Sequence, residues 1–375
     1  MILFTCIALS LTLFYTTLMG YYTIGWNRLP LFDKPKDFKA SLYVTVIIPA
    51  RNEGNTIAQL LDELLSQDYP KHLLDIVVVD DASTDNTAEV VLRYKETGIR
   101  LLQLENQNIN RAHKKRAIEF AIKECNSTII ITTDADCSIS SHWVSTIVAF
   151  QQAHQACFIS APVAMGPNNS LFQKFQALEF AGLVGIGGAA LQHHHPNMCN
   201  GANVAYLREA FIAVNGYEGN DSIPSGDDEF LMHKMFSAFP KKVFFLKNPE
   251  VIVRTDAAKS LNLFINQRMR WVSKSTKYEN KSITLILSLC YLFNLSILIN
   301  FLGAFFNHTM AWLFLGQVLL KIVAEGILLM KVTEFIKLQK LMIWLIPEQI
   351  LHVVYVVVIG FLGNLGSYQW KGRKV

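Results

Sequence analysis

Two carboxylates, Asp134 and Asp136, flank one small residue in the segment 132–136 (Thr-Thr-Asp-Ala-Asp), which directly follows the apolar run 129–131. This arrangement predicts a buried strand that delivers both acids to its carboxyl end, where open α/β sheets bind ligands. Hard divalent cations such as Mg²⁺ or Mn²⁺ prefer oxygen ligands and often link one or two carboxylates to a substrate phosphate. A spaced pair of acids is also typical of a solvated turn, so the remaining motifs decide between a metal site and a turn.

A second acidic group, Asp227 to Glu229, follows the turn residues Ser225-Gly226 and precedes a predicted helix over 230–239. Acids at the start of a helix complement its dipole, so the simplest interpretation is a capped helix. A carboxylate that faces a crevice would instead act as a general base on an attacking hydroxyl. Helix capping explains one of the three acids well and the other two less well.

Phosphate-binding loops of the usual kinds are absent from the sequence: no G-x-G-x-x-G follows the first predicted strand, and no G-x-x-x-x-G-K-[ST] occurs. A phosphate would therefore be held by a metal on the aspartates and by basic side chains. Candidates are Arg51 and the run His113 to Arg116, which opens a predicted helix over 111–123. The alternative for this run is a solvated helix face.

Strands and helices alternate from Ser41 to about Lys277, which predicts an α/β fold. Right-handed crossovers between parallel strands would bring the carboxyl ends of the first four strands to one edge. The predicted strands cover 44–49, 75–80, 99–104 and the segment ending at Asp134. The predicted helices cover 56–67 and 111–123, and a further helix is capped by residues 83–85 and runs to about Lys95. Acids and amides after these strands would therefore share one crevice.

Three stretches are apolar enough to enter a membrane. Residues 1–27 contain no charge, the segment between Lys281 and Lys321 contains none either, and 341–370 contains only Glu348 and His352. At ~20 residues per crossing, this predicts one N-terminal anchor and about three C-terminal spans. Basic residues that follow the first span predict a cytoplasmic middle region; they are Arg28, Lys34, Lys36 and Lys39.

The basic tail 371–374 conflicts with this orientation, because four crossings would leave it outside. Either one apolar segment lies in the membrane interface or the charge rule fails here.

Length and composition are less informative. The 375 residues allow two domains. The net charge is +4 and the sequence has no clustered basic face interleaved with aromatics, so nucleic acid is not an expected partner. The six cysteines form no C-x-x-C pair and suit a reducing compartment.

The segment Gln267 to Trp271 (Gln-Arg-Met-Arg-Trp) lies just before the C-terminal apolar block. Arginine and tryptophan together can pair with phosphate and stack on a sugar ring. The same residue types also mark membrane interfaces, which is the simpler interpretation of this segment alone.

Five motifs together resemble those of the family-2 glycosyltransferases, which invert the anomeric centre and have the GT-A fold. They occur in the family's order as 46–53, 80–85, 134–136, 226–228 and 267–271, and the resemblance covers Val44 to Trp271. The resemblance implies a Rossmann-like nucleotide-sugar-binding domain over 41–277, with a transmembrane helix over 1–27 and a membrane region of about three helices over 282–366.

The resemblance also implies a role for each motif residue. Pro49, Arg51 and Glu53 match the loop at the nucleotide's edge, and Asp81, or alternatively Asp80, matches the residue that binds the nucleobase. Lys114 matches a lysine near the nucleotide, and Asp134 and Asp136 match the pair that binds metal and diphosphate. Asp228 matches the catalytic base, supported by Asp227, and Gln267, Arg270 and Trp271 match the Gln-x-x-Arg-Trp signature. Departures are Asp227, where the family commonly has Glu, and His113, where a small Gly is common.

The implied activity is transfer of a sugar from a nucleotide-sugar, expected to be a UDP-sugar, to a lipid or another membrane-associated acceptor. The implied cofactor is Mg²⁺ or Mn²⁺, and the implied location is the inner (plasma) membrane, multi-pass, with the catalytic domain in the cytoplasm. Two alternatives remain: a subunit of a polysaccharide synthase, and a non-catalytic membrane protein that binds a nucleotide-sugar.

Overall fold

A computed structural model describes residues 1–104, 113–166, 169–220, 223, 225–275 and 277–363, and the backbone of 369–370 and 373–374. The described chain forms two compact units. The sheet unit consists of residues 29–166 and 190–256. The helical unit consists of residues 1–28, 167–189 and 257–375.

Strands and helices follow one another along most of the described chain. The strands are β1 Val44–Ala50, β2 Leu74–Asp80, β3 Arg100–Gln103, β4 Ile129–Thr132, β5 Phe158–Ser160, β6 Val163–Met165, β7 Val204–Leu207, β8 Val243–Phe245, β9 Val253–Thr255, β10 Gln369–Trp370 and β11 Arg373–Lys374. The α-helices are α1 Ile2–Arg28, α2 Ile57–Leu65, α3 Thr87–Leu92, α4 His113–Lys123, α5 Trp143–His154, α6 Leu171–Gln192, α7 Arg208–Ala213, α8 Asp227–Ala238, α9 Leu261–Val272, α10 Lys281–Gly303, α11 His308–Phe335 and α12 Leu345–Leu362. Short 3₁₀ turns cover Lys71–Leu73, Lys95–Thr97, Pro249–Val251 and Gln339–Trp344.

The sheet unit is built on a seven-stranded sheet of order β3-β2-β1-β4-β7-β5-β8. Strands β3, β2, β1 and β4 are mutually parallel, and the register pairs Ala50 with Asp80 and Asp80 with Gln103, so these strands end at one edge. Most apolar residues of β1, β2 and β4 are buried, as expected for strands covered on both faces, whereas β3 at the edge of the sheet is only partly buried. The α/β class and the first four predicted strands are thereby confirmed, with ends that differ by one or two residues.

The second half of the sheet is mixed. Strand β7 runs antiparallel to both β4 and β5, while β5 and β8 are parallel. Strands β6 and β9 form a separate parallel pair, and the backbone of Ser138 bridges to Arg254 beside it. Because β7 neighbours β4, the loop that precedes β7 lies next to the turn at Asp134.

Some helix bounds differ from the predictions. The helix that was predicted to follow the cap 83–85 and to run to about Lys95 covers Thr87–Leu92, and the Asp85 carboxylate accepts the Thr87 N–H at 3.0 Å. The helix predicted from 230 begins at Asp227, after Gly226 adopts a positive φ of 77°. The first helical residues predicted for α4, 111–112, lie outside the described residues.

The helical unit contains four helices long and apolar enough to cross a membrane: Ile2–Arg28, Lys281–Gly303, His308–Phe335 and Gln339–Leu362. This agrees in number with the one N-terminal and about three C-terminal spans that the sequence predicts. Asn280 and Asn307 cap α10 and α11 through side-chain oxygens that accept backbone N–H groups. The turn at 304–307 therefore separates two full-length helices.

Helix α6 and the segment around α9 group with these apolar helices, although the sequence analysis placed them inside one domain over 41–277. Gly182 and Gly185 of α6 lie against α11: a Cβ at Gly185 would be 2.5 Å from Val332 Cγ2. The Arg268 guanidinium of α9 pairs with Glu179 of α6 at 2.5 Å and is fully buried. Small residues and a buried ion pair, which sequence patterns do not reveal, determine this grouping.

A buried polar network connects α1, α11 and α12. The Lys321 ammonium donates one hydrogen bond to Glu325 and another to Gln349 Oε1 at 2.6 Å. Glu325 also accepts hydrogen bonds from Gln349 Nε2, at 2.5 Å, and from the Tyr15 hydroxyl. Lys321 is fully buried. In a lipid environment apolar packing alone gives little drive for helix association, so such contacts fix which helices are neighbours.

We expect Lys321→Met to destabilise the helical unit, because it leaves the Glu325 carboxylate among apolar helices without its cationic partner. Removing one partner of a buried pair costs on the order of 3–5 kcal/mol. The measurement is thermal unfolding of the detergent-solubilised chain, with the exposed Lys340→Met as the charge-matched control. Equal unfolding temperatures for Lys321→Met and the wild type would contradict the importance of the network.

Candidate functional site

The turn at Asp134 begins where β4 ends. Cys137 N–H donates to the Asp134 carbonyl at 3.2 Å, which closes the turn, and Ala135 is buried beneath it. Asp136 is exposed and the side chain of Asp134 is 39% exposed, so solvent reaches both residues. Burial, together with the two neighbouring carboxylates, raises the pKa of the Cys137 thiol well above its usual value, so this cysteine stays protonated.

Lys114, in the first turn of α4, joins the two acidic motifs. Its Nζ lies 2.8 Å from Asp134 Oδ1 and 3.3 Å from Asp227 Oδ2. Burial by itself would lower the pKa of the Lys114 ammonium, but Asp134, Asp227 and Asp228 outweigh it and raise that pKa above the ordinary value. Lys114 is therefore cationic throughout the physiological pH range, and it brings together residues that lie far apart in sequence.

The three acids of α8 differ in exposure. Asp227 and Glu229 are buried, whereas Asp228 is partly exposed. Both carboxylate oxygens of Asp228 accept backbone N–H groups, Oδ1 from Glu229 at 2.8 Å and Oδ2 from Gly201 at 2.6 Å. The bond from Glu229 lies within the first turn of α8, whereas the bond from Gly201 joins the Asp228 carboxylate to a loop 27 residues earlier in the chain and orients it. Asp227 serves as the partner of Lys114.

Gly201 is a site residue that the sequence analysis missed. A Cβ at this position would lie 3.0 Å from both Lys114 Nζ and Asp227 Oδ2, and 3.4 Å from Asp228 Oδ2. Its carbonyl accepts a bond from Thr132 Oγ1 at 3.1 Å, which ties it to the end of β4. The only local signal was the turn dipeptide Asn200-Gly201, which predicts a turn and not a site.

A second set of predicted residues lies at the ends of β1 and β2. Arg51 Nη1 donates to the Asp81 carbonyl at 2.5 Å and the Ala82 carbonyl at 3.0 Å, and lies 4.0 Å from Asp81 Oδ2. His113 Nδ1 lies 3.4 Å from Asp81 Oδ1. The Asp80 carboxylate, in contrast, accepts the Ser83 N–H at 3.1 Å and so shapes its own turn. The Asp80 carboxylate is thus used within its own turn, whereas the Asp81 carboxylate lies near the basic side chains of Arg51 and His113.

Pro49 and Glu53 belong to the same edge. Pro49 lies in β1 opposite Val79, and the Glu53 N–H donates to Thr87 Oγ1 at 2.8 Å. Asn52, at a positive φ of 54°, accepts the Thr84 N–H through Oδ1 at 2.8 Å. The loops after β1 and β2 are therefore joined into one surface by side chain–backbone bonds.

Two lysines hold the loop that precedes the acids of α8. Lys115 Nζ donates to the carbonyls of Asn220 and Ile223 at 2.7 and 3.0 Å. Lys234 Nζ donates to the Gly216 and Glu218 carbonyls at 2.7 and 3.1 Å. Lys115, which the sequence analysis considered as a phosphate-binding candidate, thus stabilises this loop. Residues 221, 222 and 224 of this loop lie outside the described residues.

Gln267, Arg270 and Trp271 lie on α9 in the helical unit. The Trp271 ring lies 4.2 Å from the Arg268 guanidinium carbon and 6.0 Å from the centre of Phe180. One face of this indole is therefore used in packing. The binding role expected for these three residues remains a prediction.

Asp134 and Asp136 are the candidate ligands for a divalent cation. In the described part of the chain no three His, Cys, Asp or Glu residues come together in a way that could hold a metal ion. Asp134 and Asp136 supply two hard oxygen ligands at an open edge, which suits a cation whose remaining ligands are water and phosphate oxygens. The donor set thus fits Mg²⁺ or Mn²⁺ bound together with a phosphorylated ligand.

Part of the chain is similar to a known protein family. Residues 45–214 match the family model described as Glycosyl transferase family 2. The chain is 26% identical over 185 residues to a poly-beta-1,6-N-acetyl-D-glucosamine synthase of Staphylococcus epidermidis, covering 46% of this chain and 43% of that protein. It is 35% identical over 105 residues to dolichyl-phosphate beta-glucosyltransferase ALG5C of Trichomonas vaginalis, covering 26% and 30%. The matches thus span less than half the length of these relatives.

Among solved structures, the mannosyltransferase PcManGT from Pyrobaculum calidifontis, in complex with GDP-Man and Mn²⁺, superposes with a TM-score of 0.60. The two chains are 20% identical, and the alignment covers 96% of this chain and 99% of that one. At this identity the likeness concerns the fold, and it confirms the GT-A class that the sequence predicts.

Proposed function

We propose that this chain, whose residues 45–214 match the glycosyl transferase family 2 model, is an inverting glycosyltransferase that uses a nucleotide-sugar. The observation that carries the proposal is the contact of Lys114 with both Asp134 and Asp227, beside the oriented carboxylate of Asp228. A cation, two metal-type carboxylates and a partly exposed base at one sheet edge are the groups that transfer from a nucleoside diphosphate requires.

Each group has a distinct task in the proposed reaction. Asp81 and Arg51 bind the nucleobase end, with Pro49 and Glu53 beside them, while Asp134, Asp136 and Lys114 hold the diphosphate. A bound divalent cation would neutralise charge on the leaving diphosphate. Asp228 accepts the proton of the acceptor hydroxyl as its oxygen attacks the anomeric carbon from the face opposite the leaving group. The configuration at that carbon is inverted in one displacement.

The donor is proposed to be a UDP-sugar. Asp81 matches the family position that binds uracil, and its carboxylate lies between Arg51 and His113 at the nucleotide edge. A GDP-sugar is the second candidate, because the GT-A neighbour PcManGT was solved with GDP-Man. The choice of nucleotide belongs to the test described below.

The acceptor is proposed to be a lipid or a short membrane-associated glycan. Four candidate membrane helices, of which three follow the GT-A domain, are few for a channel that secretes a polymer. A dolichyl-phosphate glucosyltransferase among the relatives supports a lipid acceptor. The poly-N-acetylglucosamine synthase supports the alternative of a polysaccharide, and the Gln-x-x-Arg-Trp signature is compatible with both.

The test is an assay of membranes that contain the full chain, with a panel of radiolabelled UDP- and GDP-sugars, followed by separation of lipid extract from insoluble polymer. We expect label from one UDP-sugar in the lipid fraction. Label in polymer alone would favour the polysaccharide alternative. No transfer and no nucleotide-sugar hydrolysis with any donor would overturn the proposal in favour of a non-catalytic binding protein.

The protein is proposed to be a multi-pass protein of the inner (plasma) membrane with its GT-A domain in the cytoplasm. We expect a cysteine placed at the exposed Glu89 to resist an impermeant thiol reagent in intact cells and to react after lysis. The control is His308→Cys at the first residue of α11, an end of the helix that this topology places outside. Labelling at position 89 without labelling at 308 in intact cells would show that the orientation is opposite to the one proposed.

A further inference from the structure

The first carboxylate of the proposed metal pair is already in contact with a cation of the protein. Lys114 Nζ lies 2.8 Å from Asp134 Oδ1, a charge-assisted contact at full strength for an ammonium and a carboxylate. Asp134 is only partly exposed, and the Lys114 side chain is only 17% exposed. An ion that binds Asp134 must therefore either share this carboxylate with the ammonium or displace it.

Local charge determines which of these happens. Lys114 is a positive group in contact with Asp134 and Asp227, and it lies near Asp228, while Asp136 is two residues from Asp134 in the chain. A divalent ion placed on Asp134 would come within a few ångströms of a buried ammonium, where repulsion is only weakly screened by salt. A second anionic partner for the ammonium would relieve that repulsion.

The site gives the ammonium room to exchange partners. Asp227 Oδ2, at 3.3 Å, is a second carboxylate that Lys114 contacts in the same position. Gly201 leaves the adjacent space free of a side chain, since a Cβ there would lie 3.0 Å from Nζ. The ammonium can therefore leave Asp134 without leaving the site.

We propose that Lys114 competes with the divalent cation for Asp134 and thereby makes metal binding depend on the donor's diphosphate. Without donor, the ammonium neutralises Asp134 and weakens the metal site. With donor, the diphosphate oxygens give the ammonium a new anionic partner and add oxygen ligands beside Asp134 and Asp136. This inference rests on the proposed function. It implies that metal and nucleotide raise each other's affinity reciprocally.

The test measures Mn²⁺ binding to the full detergent-solubilised chain by electron paramagnetic resonance of free Mn²⁺, with and without UDP. We expect wild-type protein to bind Mn²⁺ at least about tenfold more tightly with UDP than without it. Lys114→Met should bind Mn²⁺ at least about tenfold more tightly than wild type when UDP is absent, and UDP should raise its Mn²⁺ affinity by a smaller factor than it does in the wild type, because only the added oxygen ligands remain as a gain. The control Lys123→Met removes the same charge from the exposed end of α4 and should behave as wild type.

Lys114→Arg provides the second variant, because it keeps the positive charge and should keep weak Mn²⁺ binding in the absence of UDP. Unchanged or weaker Mn²⁺ binding by Lys114→Met without UDP, in protein that unfolds at the wild-type temperature, would overturn the competition. If Lys114→Met does not fold, tightened binding by Lys114→Arg would overturn it equally. Wild-type protein that binds no Mn²⁺ even with UDP would instead overturn the metal-dependent function on which the inference rests.

Discussion

Asp228→Asn is expected to lower the rate of sugar transfer by about 10²–10⁴-fold, which is the usual contribution of a positioned general base. The asparagine retains the size of the side chain and an oxygen that can accept one of the two backbone N–H bonds now made by Asp228. It cannot accept the proton of the attacking hydroxyl. Binding of the nucleotide-sugar should persist, because the proposed base contacts the acceptor. The measurements are initial rates of transfer and, separately, donor affinity by calorimetry.

Asp227→Asn is the matched comparison one residue away. Asp227 is buried and its carboxylate contacts Lys114, so this change should lower donor affinity more than it lowers the rate at saturating donor. If Asp228→Asn transferred sugar at the wild-type rate, or lost donor binding instead, the roles assigned to these neighbours would be wrong.

Asp136→Ala is expected to abolish most of the activity, and EDTA to do the same to the wild type. The Asp136 side chain is exposed, and the turn that carries it is closed by the bond from Cys137 N–H to the Asp134 carbonyl, so the fold should survive the substitution. Loss of a metal that neutralises the leaving group removes several kcal/mol of transition-state stabilisation, about 10²-fold or more in rate. The measurement is transfer and donor hydrolysis with Mn²⁺ or Mg²⁺ restored after EDTA.

The control for Asp136→Ala is Asp37→Ala, which removes an exposed aspartate from another part of the sheet unit. It should keep wild-type activity and the same response to EDTA. Full activity of the wild type in EDTA would show that the reaction needs no divalent cation, and full activity of Asp136→Ala would assign the metal to other ligands.

The sequence by itself determined those features that depend on neighbouring residues. Apolar runs such as 46–48 and 76–79 predicted buried parallel strands, because a strand covered on both faces has no polar side to display. Apolar stretches of more than twenty residues with few charges predicted the helices that are long and apolar enough to cross a membrane for a similar reason, since a bilayer excludes charge over a fixed thickness. The order of strand-end motifs predicted the edge at which Asp81 and Asp134 lie.

Only the tertiary structure decided which side chains meet at that edge. The contact of Lys114 with Asp134 and Asp227, and the bond from Gly201 N–H to Asp228, join positions that no local pattern relates. The antiparallel strand β7 brings Gly201 to the end of β4, and a short antiparallel strand leaves no periodic signal that specifies its partner. The grouping of α6 and α9 with the apolar helices likewise depends on close packing at Gly185 and a buried ion pair at Arg268. Such contacts arise from the packing of distant segments, because a side chain's partner is set by three-dimensional proximity and not by its neighbours in the chain.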